Sequence, residues 1–198
     1  MRAFLTALVM IVALPFAGLA DDRAERIEAA RSFALTSGLW QAILSNIPDL
    51  GEVVVEGIRE TRPDLRGDQA RDIAALLNAR FEAEQPAFLN TVSGVLANHL
   101  STADLQALTA YFESQPGQIQ ARAIAHGNET SAEELTALIL ALPAEQQAAI
   151  EEFGNSAAAR NWLSVQPRFI PEIEQVSESF GENLVYSSAT EIQAILAR

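Results

Sequence analysis

Residues 100–117 read LSTADLQALTAYFESQPG, and no other stretch of the chain has a pattern as specific. Ser101 and Asp104 have the spacing of a capping box, in which a serine accepts a first-turn amide and an acid three residues later reaches back. Leu108 and Phe112 then lie four residues apart, on one side of the helix that such a cap would begin. The stretch therefore predicts a capped amphipathic helix.

The end of this stretch predicts a tight turn between two helices. Ser114 starts the turn and is suited to cap the following helix, and Gly117 closes it. Glycine permits either a positive φ angle or a close approach that a side chain would forbid. Tyr111 and Phe112 span about 100° of a helix, so either both belong to a wide apolar stripe or one protrudes toward a partner or an apolar ligand. We take these four as the candidate interaction or motif residues.

Two weaker copies of the stretch follow it. Residues 131–138 repeat the cap and the leucine pair at an offset of 30 residues. At an offset of 42 residues, the matching set is Leu142, Ile150, Phe153 and Ser156 for Leu100, Leu108, Tyr111 and Ser114. A true repeat has one period. The sequence thus leaves two alternatives open: an ancient duplication with a degenerate internal repeat, or the similarity that capped Ala/Leu helices share by default.

Apolar residues recur every three to five positions through most of residues 21–198, which is the spacing of amphipathic helices. Prolines mark the expected interruptions, because they end or kink a helix. The predicted breaks are Pro48, Pro63, Pro86, Pro143 and Pro167, and Pro171 is predicted to begin the last helix. The sequence predicts an all-α fold, a compact bundle of about seven to nine mostly short helices. No Ser/Gly linker divides residues 21–198, so we expect a single domain.

Residues Glu52–Glu60 are ambiguous between helix and strand. Val53, Val54 and Val55 favour a strand. No second segment of the chain offers a strand to pair with this one. We therefore expect a short helix here and keep the strand as the alternative.

Residues 1–20 have the organisation of a secretory signal peptide. Arg2 precedes an apolar run, and Gly18 and Ala20 are small residues at positions −3 and −1 of a cleavage site. The apolar run is short for a membrane span, and no cysteine follows that could carry a lipid anchor. We expect cleavage after Ala20 and a soluble, exported protein of the bacterial periplasm.

The charge balance restricts the partners. The chain has 26 acidic and 13 basic residues and a net charge of −13, and loss of the leader with its one arginine makes the charge more negative. Nucleic acids and anionic membrane surfaces both require a basic surface. The chain has no cysteine, which excludes thiol nucleophiles, thiolate metal sites and disulfides. A domain of this length can fold on its hydrophobic core alone.

Residues 100–118 resemble a family of exported bacterial helical proteins catalogued as domain of unknown function twenty fifty-nine. The positions that match the family's two aromatics, serine and glycine are Tyr111, Phe112, Ser114 and Gly117. Asp104 replaces the usual glutamate, and Pro116 is displaced by one residue from the family's position. The resemblance implies an all-α fold and export, and it implies no catalytic residues.

Histidines and carboxylates are the remaining candidates for chemistry. His99 and His126 lie near expected helix ends, where an imidazolium interacts favourably with the helix dipole. Without cysteine, a zinc site would depend on carboxylates. A hydrolase would need paired carboxylates, for which the candidates are Glu52, Glu56, Glu60, Glu133, Glu134, Glu151 and Glu152. Most of these fall on polar helix faces, so we expect no catalytic, metal or cofactor site.

The sequence favours a non-enzymatic protein that acts through protein–protein contacts in the cell envelope. Two alternatives stay open. One is a protein that binds a small apolar or lipid-like ligand between its helices, and the other is a carboxylate-based hydrolase. The sequence identifies neither the partner nor the oligomeric state.

Overall fold

A computed structural model describes residues 15–126 and 131–198. Within these residues every regular element is an α-helix and no strand occurs, so the all-α prediction is confirmed. In chain order the helices are α1 (Pro15–Thr36), α2 (Leu39–Asn46), α3 (Leu50–Thr61), α4 (Gly67–His99), α5 (Thr102–Glu113), α6 (Gln115–His126), α7 (Ala132–Leu140), α8 (Ala144–Gly154), α9 (Ala157–Ser187) and α10 (Ala189–Leu196). Only Ser188 separates α9 from α10.

Two groups of buried side chains hold the helices together. The larger core joins α1, α4, α5 and α9, with α2 and α6 at its edge. Its fully buried members include Phe33, Phe88, Val92, Leu96, Leu105 and Leu108. The smaller core joins α3, the first half of α4 and α10, through Val55, Ala70, Ile73, Leu77, Ile192 and Ile195. The helical spacing of apolar residues in the sequence gives most of the helices a face that packs in one of these cores.

Two long helices pass through prolines that the sequence marked as breaks. α4 continues through Pro86 and α9 continues through Pro167 and Pro171, so these predicted interruptions are wrong. A proline inside a helix removes one backbone hydrogen bond and costs about 3 kcal/mol. All three prolines are exposed, whereas Phe88 and Phe169, two residues beyond a proline in each helix, are buried in the larger core. Tertiary packing therefore outweighs the local cost, and the two helices are longer than predicted.

The ambiguous Glu52–Glu60 segment lies in α3, so the helix that we preferred there is confirmed. Asp49 caps this helix, since its Oδ1 accepts a hydrogen bond from the Glu52 amide at 2.9 Å. Val55 is buried in the smaller core while Val53 is 54% exposed. The valines thus point to different sides of one helix, and packing of Val55 overrides their strand propensity.

Gly38 fixes the position of α2. Its φ angle is +77°, the one positive φ among the described residues, and glycine adopts this conformation without steric cost. A Cβ atom on Gly38 would lie 3.1 Å from the carbonyl carbon of Ala121 and 3.2 Å from the Cβ of Ala125, both on α6. α2 therefore packs on α6, and its contact with α9 is slight.

Most of the predicted signal peptide, residues 1–14, lies outside the described residues. α1 begins at Pro15 and continues through Ala20, so the expected cleavage position falls within this helix. In the part of the chain that the structure describes, no helix is both long enough and apolar enough to cross a membrane. Export and cleavage after Ala20 stay predictions.

Candidate binding groove

The stretch at residues 100–117 forms the helix that its sequence predicts. α5 begins after Ser101, whose Oγ accepts a hydrogen bond from the Asp104 amide at 3.1 Å. In a complete capping box the acidic side chain accepts a hydrogen bond from the backbone amide of the cap residue. Here Asp104 Oδ2 instead accepts from the Ser101 hydroxyl at 2.6 Å, and the aspartate side chain is one methylene shorter than the glutamate that is usual at this position. The complete capping box occurs at Ser131, whose amide donates to Glu134 Oε2 at 2.9 Å.

Tyr111 and Phe112 both lie in the larger core, so neither aromatic protrudes into solvent. The Tyr111 ring stacks on Phe153 of α8 with 3.6 Å between ring centroids, and Phe112 packs against Phe33 of α1 at 6.0 Å. The Tyr111 hydroxyl is buried and has no hydrogen-bond partner among the described residues. Burial raises the pKa of Tyr111 to about 12, because the phenolate would lose its hydration. Both aromatics thus serve packing between α5 and its neighbours.

Ser114 and Gly117 form the joint between α5 and α6. The Ser114 hydroxyl donates to the Tyr111 carbonyl at 2.6 Å and accepts from the Gly117 amide at 3.3 Å. The turn is shorter than predicted, because Gly117 already lies in the first turn of α6. A Cβ atom on Gly117 would lie 2.7 Å from Phe112 Cα. The close approach that we predicted as one reason for this glycine is confirmed, and its φ is not positive.

The joint between α8 and α9 has the same local geometry. Ser156 has φ −71° and ψ 159°, against −70° and 158° for Ser114. In both joints the serine Oγ accepts from the amide three residues later, at 3.1 Å for Ala159 and 3.3 Å for Gly117. Ser101 and Ser131 have nearly the same backbone conformation and also accept a hydrogen bond from the amide three residues later. The shared geometry is therefore that of a serine N-cap and favours neither offset, so both alternatives for the origin of the similarity stay open.

The histidines occupy helix ends, as expected. His99 ends α4, and its Nε2 lies 3.0 Å from the Glu172 carboxylate on α9, which ties the two long helices together. His126 ends α6. The described residues contain no group of three His, Cys, Asp or Glu side chains placed to hold a metal ion. None of the carboxylates whose burial is described is buried, so the hydrolase alternative gains no support from the geometry.

An open apolar groove runs along one flank of α9. α2 packs on α6 and α3 packs on α4, so neither of them closes over the flank of α9 that faces them. The gap consists of two adjoining hollows of about 680 and 650 Å³, which share Asn46, Ile47 and Ser177. We call this gap the α9 groove. Its α9 side is lined by Ile170, Ile173, Ser177, Gly181, Val185 and Tyr186, and its opposite wall by Ile43, Ile47, Leu50, Val53 and Val54.

The floor of the α9 groove is apolar along its length. From Ile170 to Val185 its α9 residues recur every three or four positions, so these residues share one helix face. Tyr186 lies about 100° further around the helix, at the edge of the groove. Ser177 does not interrupt this floor, because its hydroxyl donates to the Ile173 carbonyl at 2.8 Å within the helix. Gly181 leaves room for the opposite wall, since a Cβ atom there would touch Leu50 Cδ2 at 3.4 Å.

Large apolar side chains at the edges of the groove are open to solvent. The exposed fraction is 51% for Ile170, 54% for Val53 and 84% for Tyr186. Single exposed apolar residues are ordinary on a protein surface, but a contiguous apolar patch marks an interaction site. At 1.5 Å per residue, the stretch of α9 from Ile170 to Tyr186 is about 24 Å long. The groove is thus long enough to take several helical turns.

One edge of the groove carries a row of carboxylates. Glu174, Glu178 and Glu182 follow each other at four-residue spacing, so they project from the same side of α9. All three are exposed. Within the described ranges none of them forms an ion pair or accepts a side-chain hydrogen bond, and no basic residue lines either hollow. We call these three residues the glutamate row.

Comparison with known proteins identifies no relative. No family model matches the chain, and neither a curated protein nor a solved structure is similar to it. The resemblance of residues 100–118 to the family of domain of unknown function twenty fifty-nine therefore stays a prediction. The fold and the groove define the molecule as an all-helical protein with an open, acid-edged apolar groove.

This groove was not predicted from the sequence. In α9 the residues Ile173, Val176 and Phe180 recur at helical spacing, which is typical of a single core-facing stripe, and their side chains do lie in or against the larger core. The available signal was a second row of residues on the same helix, in which Ile170 and Val185 flank the small residues Ser177 and Gly181. A helix that is apolar on more than one face has more than one surface to cover.

Proposed function

We propose that this protein is a non-enzymatic binding protein of the bacterial periplasm that holds a segment of a partner protein in the α9 groove. The observation that carries the proposal is the pair of adjoining open hollows along α9, whose lining is mainly apolar and whose edge residues Ile170, Val53 and Tyr186 are exposed. Burial of apolar surface is the main favourable contribution to most protein association. A partner helix laid along such a groove is a recurring mode of recognition.

The location rests on the first twenty residues. Their basic start, apolar run and small residues before Ala20 support export by a cleaved signal peptide. Cleavage would remove the first residues of α1 and leave the groove intact, because all of its lining residues lie beyond residue 38. An exported chain would meet its partner in the cell envelope.

The shape of the groove favours a polypeptide over a small apolar or lipid-like ligand. Pockets for small molecules are concave and bury most of the ligand's surface. The α9 groove is an open trough whose edge residues, such as Val53 and Tyr186, are more than half exposed. A lipid chain lying here would keep much of its surface in water, whereas a partner helix would bring its own polar face to cover the trough.

Photo-crosslinking from within the groove tests the proposal. A benzoylphenylalanine at Val53, in the groove, is compared with one at Leu35, which is 51% exposed on α1 and does not line the groove. In the periplasm of its own bacterium, the protein is expected to crosslink reproducibly to one partner chain from position 53. No crosslink to that chain is expected from position 35. Equal crosslinking from both positions would contradict a specific site.

A variant that fills the groove makes the experiment decisive. Ser177 lies where the two hollows meet, so Ser177→Leu places a bulky side chain in the floor. Ser164→Leu is the matched control, because Ser164 is exposed on the same helix and its hydroxyl also bonds only a carbonyl of its own helix. Ser177→Leu is expected to abolish the crosslink at position 53 while Ser164→Leu retains it. Native mass spectrometry that finds a stoichiometric lipid and no partner chain would overturn the proposal.

A further inference from the structure

We propose that the segment held in the α9 groove is a basic amphipathic helix, whose Lys or Arg side chains pair with Glu174, Glu178 and Glu182. This inference rests on the proposed function and adds the chemistry of the partner. It combines two features of one surface: an apolar floor and an unpaired row of negative charge directly beside it.

The spacing of the glutamate row suits a helix. Residues four apart on α9 rise about 6 Å along its axis, which is also the rise between residues four apart on a partner helix. A partner that lies roughly parallel or antiparallel to α9 would therefore place basic residues at four-residue spacing opposite Glu174, Glu178 and Glu182. Its apolar residues, repeating every three or four positions, would meet the floor between Ile170 and Val185.

The charges around the groove favour a cationic partner and disfavour an anionic one. The glutamate row has no basic neighbour lining the groove, so its three charges repel one another until a cation is supplied. A fatty acid or an anionic phospholipid would add a further negative charge beside them. The net charge of −13 for the whole chain attracts a basic segment from a distance and raises its association rate.

Peptide binding measured by fluorescence anisotropy tests the inference. The probe is a labelled helical peptide with leucines at helical spacing and arginines at four-residue spacing on both sides of the leucine stripe. Two further peptides carry glutamine or glutamate in place of every arginine. The arginine peptide is expected to bind the tightest, the glutamate peptide the weakest, and the difference is expected to shrink at higher salt because exposed charges are screened.

Two triple variants with the same change in net charge test whether the preference for arginine comes from the glutamate row. The triple variant Glu174→Gln, Glu178→Gln and Glu182→Gln removes the glutamate row. The control variant Glu145→Gln, Glu151→Gln and Glu152→Gln removes three exposed acids of α8. Three exposed ion pairs together are worth on the order of a tenfold change in affinity. The row variant is thus expected to bind the arginine peptide about tenfold more weakly, while the α8 variant stays within about twofold of the unchanged protein.

The outcomes separate this inference from the proposed function. If the glutamine peptide binds as tightly as the arginine peptide, and Ser177→Leu weakens both, the groove holds a helix but the inference about charge is overturned. If both triple variants weaken binding equally, the effect is one of net charge, which also overturns the inference. If Ser177→Leu changes neither peptide binding nor the crosslink at position 53, the proposed function falls together with the inference.

Discussion

Replacement of Gly117 by alanine tests the joint between α5 and α6. Gly117 lies in the first turn of α6, and alanine has a helix propensity about 1 kcal/mol better than that of glycine. Propensity alone therefore predicts a more stable protein. The structure predicts the opposite, because the new methyl group would lie 2.7 Å from both Phe112 Cα and the Tyr111 carbonyl carbon.

The size of the effect follows from what must move. The atoms that the methyl group meets belong to the α5 backbone, so no change of side-chain rotamer relieves the contact. Carbon atoms pack at about 3.5–4.0 Å, which requires α6 to shift by about 1 Å away from α5. That shift strains the bond from the Gly117 amide to Ser114 Oγ and the bond from Gln118 Nε2 to the Phe112 carbonyl. Overpacking costs about 1–3 kcal/mol, and with the weakened bonds and the gain in propensity the net loss is about 1–3 kcal/mol.

Urea unfolding followed by far-ultraviolet circular dichroism measures this loss. For a domain of this size, it corresponds to a fall in Tm of about 2–4 °C per kcal/mol. Gly57→Ala is the matched control, because Gly57 is exposed in α3 and a Cβ atom there meets nothing within 4 Å. The control is expected to gain about 0.5–1 kcal/mol. A Gly117→Ala protein as stable as the unchanged chain, alongside a stabilised Gly57→Ala protein, would refute the close approach as the reason for this glycine.

Four other predictions concern global or local stability. Tyr111→Phe removes a buried hydroxyl without a partner, so urea unfolding is expected to show a gain of about 1 kcal/mol, and a loss would contradict it. Because burial raises the pKa of Tyr111 to about 12, the unfolded chain releases this proton first, and the unfolding free energy is expected to fall as the pH rises from about 10 to about 12. In a pH series of urea unfolding, the Phe variant should lack this contribution. Ser101→Ala should cost about 1 kcal/mol through the lost cap, which an unchanged Tm would disprove. Gln69→Leu removes hydrogen bonds to the carbonyls of Ile195 and Leu196 at 3.2 and 3.3 Å, so amides of α10 are expected to exchange faster with solvent, and unchanged protection would contradict that role.

Features that depend on neighbours in the sequence were predictable. Ser101 and Ser131 are bonded to amides three residues later, so their pattern specifies the caps locally. The stripe that includes Leu105 and Leu108 is buried because helical spacing alone puts these residues on one face. The all-α class follows from many such local patterns, none of which needs knowledge of a distant contact.

Features that depend on distant contacts were not predictable. The cost of Pro86 is local, but the packing that keeps α4 continuous comes from side chains on other helices. The same holds for the α9 groove, which exists because α2 packs on α6 and α3 on α4. The sequence of α9 shows this second row of residues, yet nothing within α9 indicates whether another helix covers it. The sequence left two alternative reasons for a glycine at position 117, a positive φ angle or a close approach of another part of the chain. The choice between them depends on the position of the α5 backbone, which only the structure gives.

The glutamate row on α9 also affects how copies of this protein behave toward each other in solution. Open apolar surfaces are the places where protein molecules adhere. Every copy presents the same negative charges beside its groove, so two such surfaces repel as they approach. Salt screens exposed charges, so this repulsion between copies is expected to weaken as the ionic strength rises. The charges that we propose attract a basic segment would by the same reasoning keep copies of this protein apart.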